Sequence, residues 1–134
     1  MKNSILLSVF FLMLVISCRK PQDPPPPSLI LNGNKFKVHQ YILNGQDNTD
    51  KFTNSVLNFQ QDGKLELTKD GKLFSGSWEE YSLPHKVNID ISTTNSYLNL
   101  LSREWINDLL NPSRIKLVDE LTAPQHVLIL DLVK

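Results

Sequence analysis

One cysteine, five glycines and three histidines are all that this chain of 134 residues carries of those types, and each scarcity closes off a class of function. A lone cysteine forms no intramolecular disulfide, so the fold has to stand on its apolar core. Five scattered glycines leave neither a phosphate-cradling loop nor a nucleophile elbow. His39, His85 and His126 sit on separate segments without ligand spacing, so no metal site is expected. Charge of one sign is missing as well. Fourteen Lys plus Arg balance fourteen Asp plus Glu, which leaves no basic stripe to neutralise phosphates and excludes nucleic acid as a partner. Glu79-Glu80 and Asp119-Glu120 are paired carboxylates, but adjacent residues of a strand point to opposite faces and read as solvated charge. With no nucleophile beside a base, the sequence offers no catalytic residues, calls for no cofactor and does not read as an enzyme.

Long hydrophobic runs are also absent. The one apolar stretch, Ile5 to Ile16, is twelve residues interrupted only by Ser8, too short for a transmembrane helix, which needs about 20 residues. It follows the positive start Met1-Lys2-Asn3 and has the length of a signal-peptide core. The residues that end it, Val15-Ile16-Ser17-Cys18, resemble the lipobox of bacterial lipoproteins. That resemblance implies diacylglycerol transfer to the Cys18 thiol, cleavage after Ser17 and acylation of the new amino group. Residues 1–17 are then the signal peptide and Cys18 the lipid attachment point. Two or three acyl chains hold a protein durably on a bilayer, at about 0.8 kcal/mol per buried CH₂. The membrane is therefore the expected partner, through the N-terminal anchor.

Residues 18–32 read as the lipidated cysteine and a spacer. Five of the eight prolines fall between Pro21 and Pro27, and a polyproline II segment rising about 3.1 Å per residue holds a domain roughly 30 Å from the headgroups. In many Bacteroidota lipoproteins acidic residues just after the cysteine direct export to the cell surface. Here Arg19 and Lys20 precede a single Asp23, and the expectation is the outer membrane, facing the periplasm.

Residues 33–134 form the domain, an antiparallel meander of eight strands. Lys35 to Ile42 alternates with Phe36, Val38 and Ile42 on one face, and Leu57 and Phe59 repeat the pattern. Asp62-Gly63 and Asp70-Gly71 predict two tight hairpins of type I′ around Leu65 and Leu67. Lys72 to Tyr81 places Phe74, Gly76 and Trp78 on one face, with Gly76 at a bend and Pro84 closing the segment. Val87, Ile89 and Ile91 alternate cleanly, Tyr97 to Leu101 suits one helical turn, and Trp105, Asn107 and Leu109 resume the period of two. Ile115 and Leu117 follow. In His126 to Val133 both faces are apolar, which predicts cover on both sides. Such a meander removes its exposed edges by closing into an up-and-down barrel; an open sandwich is the structural alternative.

The order of these pieces resembles the lipocalin-like domain of small Bacteroidota lipoproteins. The matching features are Phe36, Asn44-Gly45, Phe59 to Gly63, Gly76-Ser77-Trp78, Trp105-Ile106-Asn107 and Leu128 to Lys134. Two features depart from it: Phe36 replaces an opening tryptophan, and the Gly-x-Trp of true lipocalins lies in the first strand, not the fourth. The resemblance implies a small barrel that holds a hydrophobic molecule. Phe36, Phe59, Phe74, Trp78 and Trp105 are the candidate ligand-binding residues, pointing inward as stacking surfaces. A barrel of eight strands is equally able to fill its centre with side chains. In that case the same five residues form a core plug, and the protein is a structural or interaction lipoprotein.

Overall fold

The computed structural model describes residues 26–81 and 85–134. The signal peptide, Cys18 and the first part of the spacer lie outside the described residues, as does Pro84. Nine strands form one antiparallel sheet: β1 (Asn34–Leu43), β2 (Gln46–Asp47), β3 (Ser55–Phe59), β4 (Lys64–Lys69), β5 (Lys72–Tyr81), β6 (Lys86–Ile91), β7 (Arg103–Asn111), β8 (Arg114–Val118) and β9 (His126–Leu132). β2 is a two-residue flap on β1. The other eight run in sequence order and close into a barrel where β9 pairs with β1, from Phe36↔Leu132 to Leu43↔His126. The eight-stranded up-and-down meander read from the sequence is this barrel, and pairing its first strand with its last removes the two end edges that an open sheet would leave.

Three short helical pieces cover the two rims. α1 (Ser28–Leu31) sits at the lower rim, and the 3₁₀ turns η1 (Thr49–Phe52) and η2 (Leu98–Leu101) sit at the upper rim. α1 starts directly after Pro27, a residue pre-set for a first helical turn, and the Glu80 carboxylate accepts the Ser28 N–H at 3.1 Å. Its Leu31 is completely buried in the barrel core. The folded unit therefore reaches back to Ser28, ahead of the boundary expected at residue 33. Phe52 of η1 and Leu98 and Leu101 of η2 are buried from the other side. The helical turn expected around Tyr97 to Leu101 is η2. All strand pairs, the core and the three rim pieces lie within residues 28–134, so this segment contains everything a domain of its size needs to fold alone.

Local detail departs from the simple alternation in four places. A β-bulge at His39 shifts the β1–β9 register between Val38 and Gln40. Phe36 and Val38 face inward before the bulge, but Tyr41 and Leu43 take the interior after it, and Ile42 turns out. A second shift, between Asn107 and Leu109, interrupts the period of two in β7 at Asp108. Asp70-Gly71 makes the type I′ turn, with φ of 48° and 77°. At Gln60 to Gly63 only Gly63 has positive φ, at 80°, and its N–H donates to the Gln60 carbonyl at 3.2 Å. That connection is a type I turn followed by a left-handed glycine, not a second type I′ turn. Finally, β9 is covered on one side only. Leu128 and Leu130 are buried, whereas Val127 and Ile129 are half-buried on the outer wall and Val133 is exposed.

Gly76 is required for closeness, not for φ. A Cβ there would meet the Asp90 carbonyl oxygen at 2.1 Å and the Ile91 Cα at 3.0 Å. The bend expected at this glycine is a place where β5 and β6 approach more closely than a side chain permits.

Candidate functional site

The barrel interior brings three of the five candidate aromatics into one stack. The Phe36 and Phe59 rings meet edge to face at 5.9 Å, and Phe59 meets Trp78 in the same way at 5.5 Å. Phe74, on β5, is partly buried against the core. Trp105 lies apart from this stack, against η2 and Arg103. Phe36, Phe59 and Trp105 have no exposed surface and Trp78 retains 8%.

The polar edges of both tryptophans are already used. Trp78 Nε1 donates to the Gln60 carbonyl at 2.9 Å, and Trp105 Nε1 donates to the Leu101 carbonyl at 3.0 Å. Gln60 belongs to the β3–β4 turn at the lower rim and Leu101 to η2 at the upper rim. Each indole thus ties a rim to the core, and the space between holds Leu57, Leu65, Leu67, Ile89, Leu117 and Leu130, among others, in the same buried cluster. Edge-to-face pairs and satisfied indole donors are the features of a packed interior.

A polar pair that the alternation pattern concealed lies on the closing seam. Tyr41 of β1 and His126 of β9 are both buried, and the tyrosine oxygen is 2.6 Å from His126 Nδ1. Burial pushes the Tyr41 hydroxyl up to about 12, and burial followed by the nearby Arg103 charge holds the His126 imidazole below its usual range. Both groups are therefore neutral at pH 7. The hydroxyl donates, Nδ1 accepts, and the imidazole proton is assigned to Nε2. Phe52 packs on the Tyr41 ring at 4.5 Å, and Asp119 accepts the His126 backbone N–H at 3.0 Å.

The neutral pair gives stability a plateau. Because the folded pKa of His126 lies below its unfolded value near 6.5, the unfolded state takes up more protons, and stability falls as pH drops below about 6.5. Because the folded pKa of Tyr41 lies above 10, stability present below pH 10 is lost as pH rises from there toward about 12. Urea midpoints measured across pH should show both shoulders. Tyr41→Phe should shrink the alkaline one and lower stability by about 2 kcal/mol, since it leaves the imidazole acceptor without a donor. A Tyr41→Phe protein with an unchanged alkaline limb would contradict this account of the seam.

The remaining candidates are dispersed. His39 projects outward from its bulge, with Nδ1 2.9 Å from Asp131. The His85 backbone carbonyl accepts the Asn107 N–H in the β5–β6 connection. Glu79 accepts from Tyr81 on the surface while Glu80 holds the start of α1, so this carboxylate pair diverges as strand geometry requires. Asp119 serves the seam and Glu120 accepts from Thr122. No group of three or more His, Cys, Asp or Glu side chains suited to a metal ion occurs among the described residues.

No protein-family model and no curated protein matches this chain. Solved structures do. A DUF4847 family protein from Bacteroides vulgatus is similar over 78% of this chain and 95% of its own, with a TM-score of 0.59 and 11% identity. A protein from Burkholderia xenovorans is similar over 83% of this chain and 92% of its own, at 0.55 and 14%. A lipocalin-like protein from Bacteroides uniformis is similar over 74% of this chain and 96% of its own, at 0.53 and 19%. Identities this low carry the fold and nothing further. The barrel, its closure and this likeness together give residues 28–134 a lipocalin-like β-barrel fold.

Proposed function

We propose that the protein is a lipid-anchored component of the bacterial cell envelope, held on the outer membrane and facing the periplasm, whose barrel is a filled scaffold acting through its outer surface. The anchor rests on the sequence Val15-Ile16-Ser17-Cys18 after a signal-length apolar run. The filled scaffold rests on one observation: the aromatic groups best suited to stack on a hydrophobic ligand are consumed by packing, with both indole N–H groups bonded to backbone carbonyls. A ligand in this barrel would have to displace those contacts. An interaction role, not catalysis, fits carboxylates that serve as local hydrogen-bond acceptors.

Two measurements test the two halves separately. Intact-mass analysis of protein from its native host should find a chain beginning at Cys18 with diacylglycerol and a further acyl chain; an unmodified polypeptide beginning at Met1 overturns the anchor. Native mass spectrometry of residues 28–134 should find the bare polypeptide, with tryptophan emission indifferent to added fatty acids. A retained small hydrophobic molecule, together with an emission response that saturates, overturns the filled scaffold in favour of a ligand-binding barrel.

A further inference from the structure

The outer wall at the lower rim carries a row of side chains that spans four strands. Register places Lys37 of β1 opposite Asp131 of β9, Asp131 opposite Arg114 of β8, and Arg114 opposite Asn111 of β7. With Ser113 and Leu132 these residues line an open concavity of about 360 Å³. Its single carboxylate is fully engaged. Arg114 Nε donates to Asp131 Oδ1 at 2.6 Å, Arg114 Nη2 to Oδ2 at 3.1 Å, and His39 Nδ1 lies 2.9 Å from Oδ2. These bonds hold the Asp131 carboxyl below the usual carboxylate range, with the Arg114 hydrogen bond the largest cause.

Donors are left over. Lys37 has no ion pair among the described residues. Asn111 Oδ1 already accepts from the Ser113 N–H, the Ser113 hydroxyl and the Arg114 N–H. The Asn111 side-chain amine therefore has to find its acceptor elsewhere, and so does the second terminal nitrogen of Arg114. The bulge at His39 adds to this arrangement, because the extra outward residue brings the imidazole onto Asp131, while Lys37, its neighbour across the ladder, makes no ion pair with it.

We infer that this groove binds an oxyanion of the phosphate-ester class, with Lys37, the free edge of Arg114 and the Asn111 amide as its donors. A tetrahedral phosphate oxyanion, a dianion in a monoester and a monoanion in a diester, matches three donors of one concavity of which two are cationic, and the concavity is larger than a phosphate alone, so the ester substituent has room. The site is on the wall and independent of what fills the barrel, and it stands whether or not the chain is tethered. The ester could be a soluble metabolite or a phospholipid headgroup at a nearby bilayer; the chemistry of recognition is shared.

Amide resonances of residues 28–134, titrated with glycerol phosphate against chloride at equal ionic strength, separate the outcomes when paired with sedimentation on phosphatidylglycerol and phosphatidylcholine vesicles. Saturable shifts at Lys37 and Asn111–Arg114 are expected, weakened about tenfold in Lys37→Gln, the loss of one charge-assisted hydrogen bond. Lys72→Gln at the opposite rim should leave them unchanged. Shifts without vesicle binding assign the site to soluble esters. Binding to phosphatidylglycerol vesicles alone that disappears in Lys37→Gln assigns it to a headgroup. Absence of both, or binding that Lys37→Gln does not weaken, overturns the inference.

Discussion

Gly76→Ala is expected to cost about 3 kcal/mol of folding stability, at the upper end of what overpacking by a single methyl does. The added Cβ would lie 2.1 Å from the Asp90 carbonyl oxygen, well inside van der Waals contact, and the obstacle is backbone of β6, which no rotamer change relieves. The pair Gly76↔Ile91 is near the end of the β5–β6 ladder, and Trp78↔Ile89 follows two residues on. Separating these strands therefore loosens the Trp78 packing as well. Gly71→Ala is the control. It sits in the type I′ turn with positive φ and open space around it, so it should cost about 1 kcal/mol from backbone strain alone. Urea unfolding followed by tryptophan emission reads both variants. Equal losses at the two positions would show that backbone freedom, not strand approach, is what Gly76 supplies.

Most of the barrel was legible because its strands keep a strict period of two. Val87, Ile89 and Ile91 are buried as their alternation requires, and so are Leu65 and Leu67 between their two turns. The pattern misleads where a residue's direction depends on closure. Nothing in Lys35 to Ile42 marks His39 as bulged, because the bulge exists only in the pairing of β1 with the last strand of the chain. Tyr41 was thereby hidden as an inward residue, and with it the bonded partner of His126. The row from Lys37 to Asn111 was hidden for the same reason: its members come from both ends of the sequence and meet only through register. α1 was obscured differently. A run of prolines reads as extended spacer, yet Pro26 and Pro27 supply the carbonyls that begin the helical turn, and Leu31 follows them into the core. Among the candidate aromatics, the inward direction was readable from alternation. Whether they line a void or fill one depends on side-chain volume summed round the barrel, which no single strand displays.

Trp105→Ala should remove about 4 kcal/mol of stability, because it empties the space of a fully buried indole. Two contacts go with the ring: the Nε1 bond to the Leu101 carbonyl and the packing of the Arg103 guanidinium at 5.6 Å from its centroid. Leu101 closes η2, so the upper rim should loosen locally, and amides of Leu98 to Leu101 should exchange faster than those of β3 and β4. Trp105→Phe separates the contributions. It keeps most of the apolar volume and loses the donor, and about 2 kcal/mol is expected. The two readings of the barrel diverge at this residue. A tryptophan that plugs a filled centre is missed by the fold itself, in the purified domain with nothing added. A tryptophan that lines a ligand pocket contributes chiefly to the complex, so its removal would cost under about 1 kcal/mol in the bare domain. Urea midpoints of the bare domain, with and without Trp105, therefore discriminate a scaffold from a container without knowledge of any ligand.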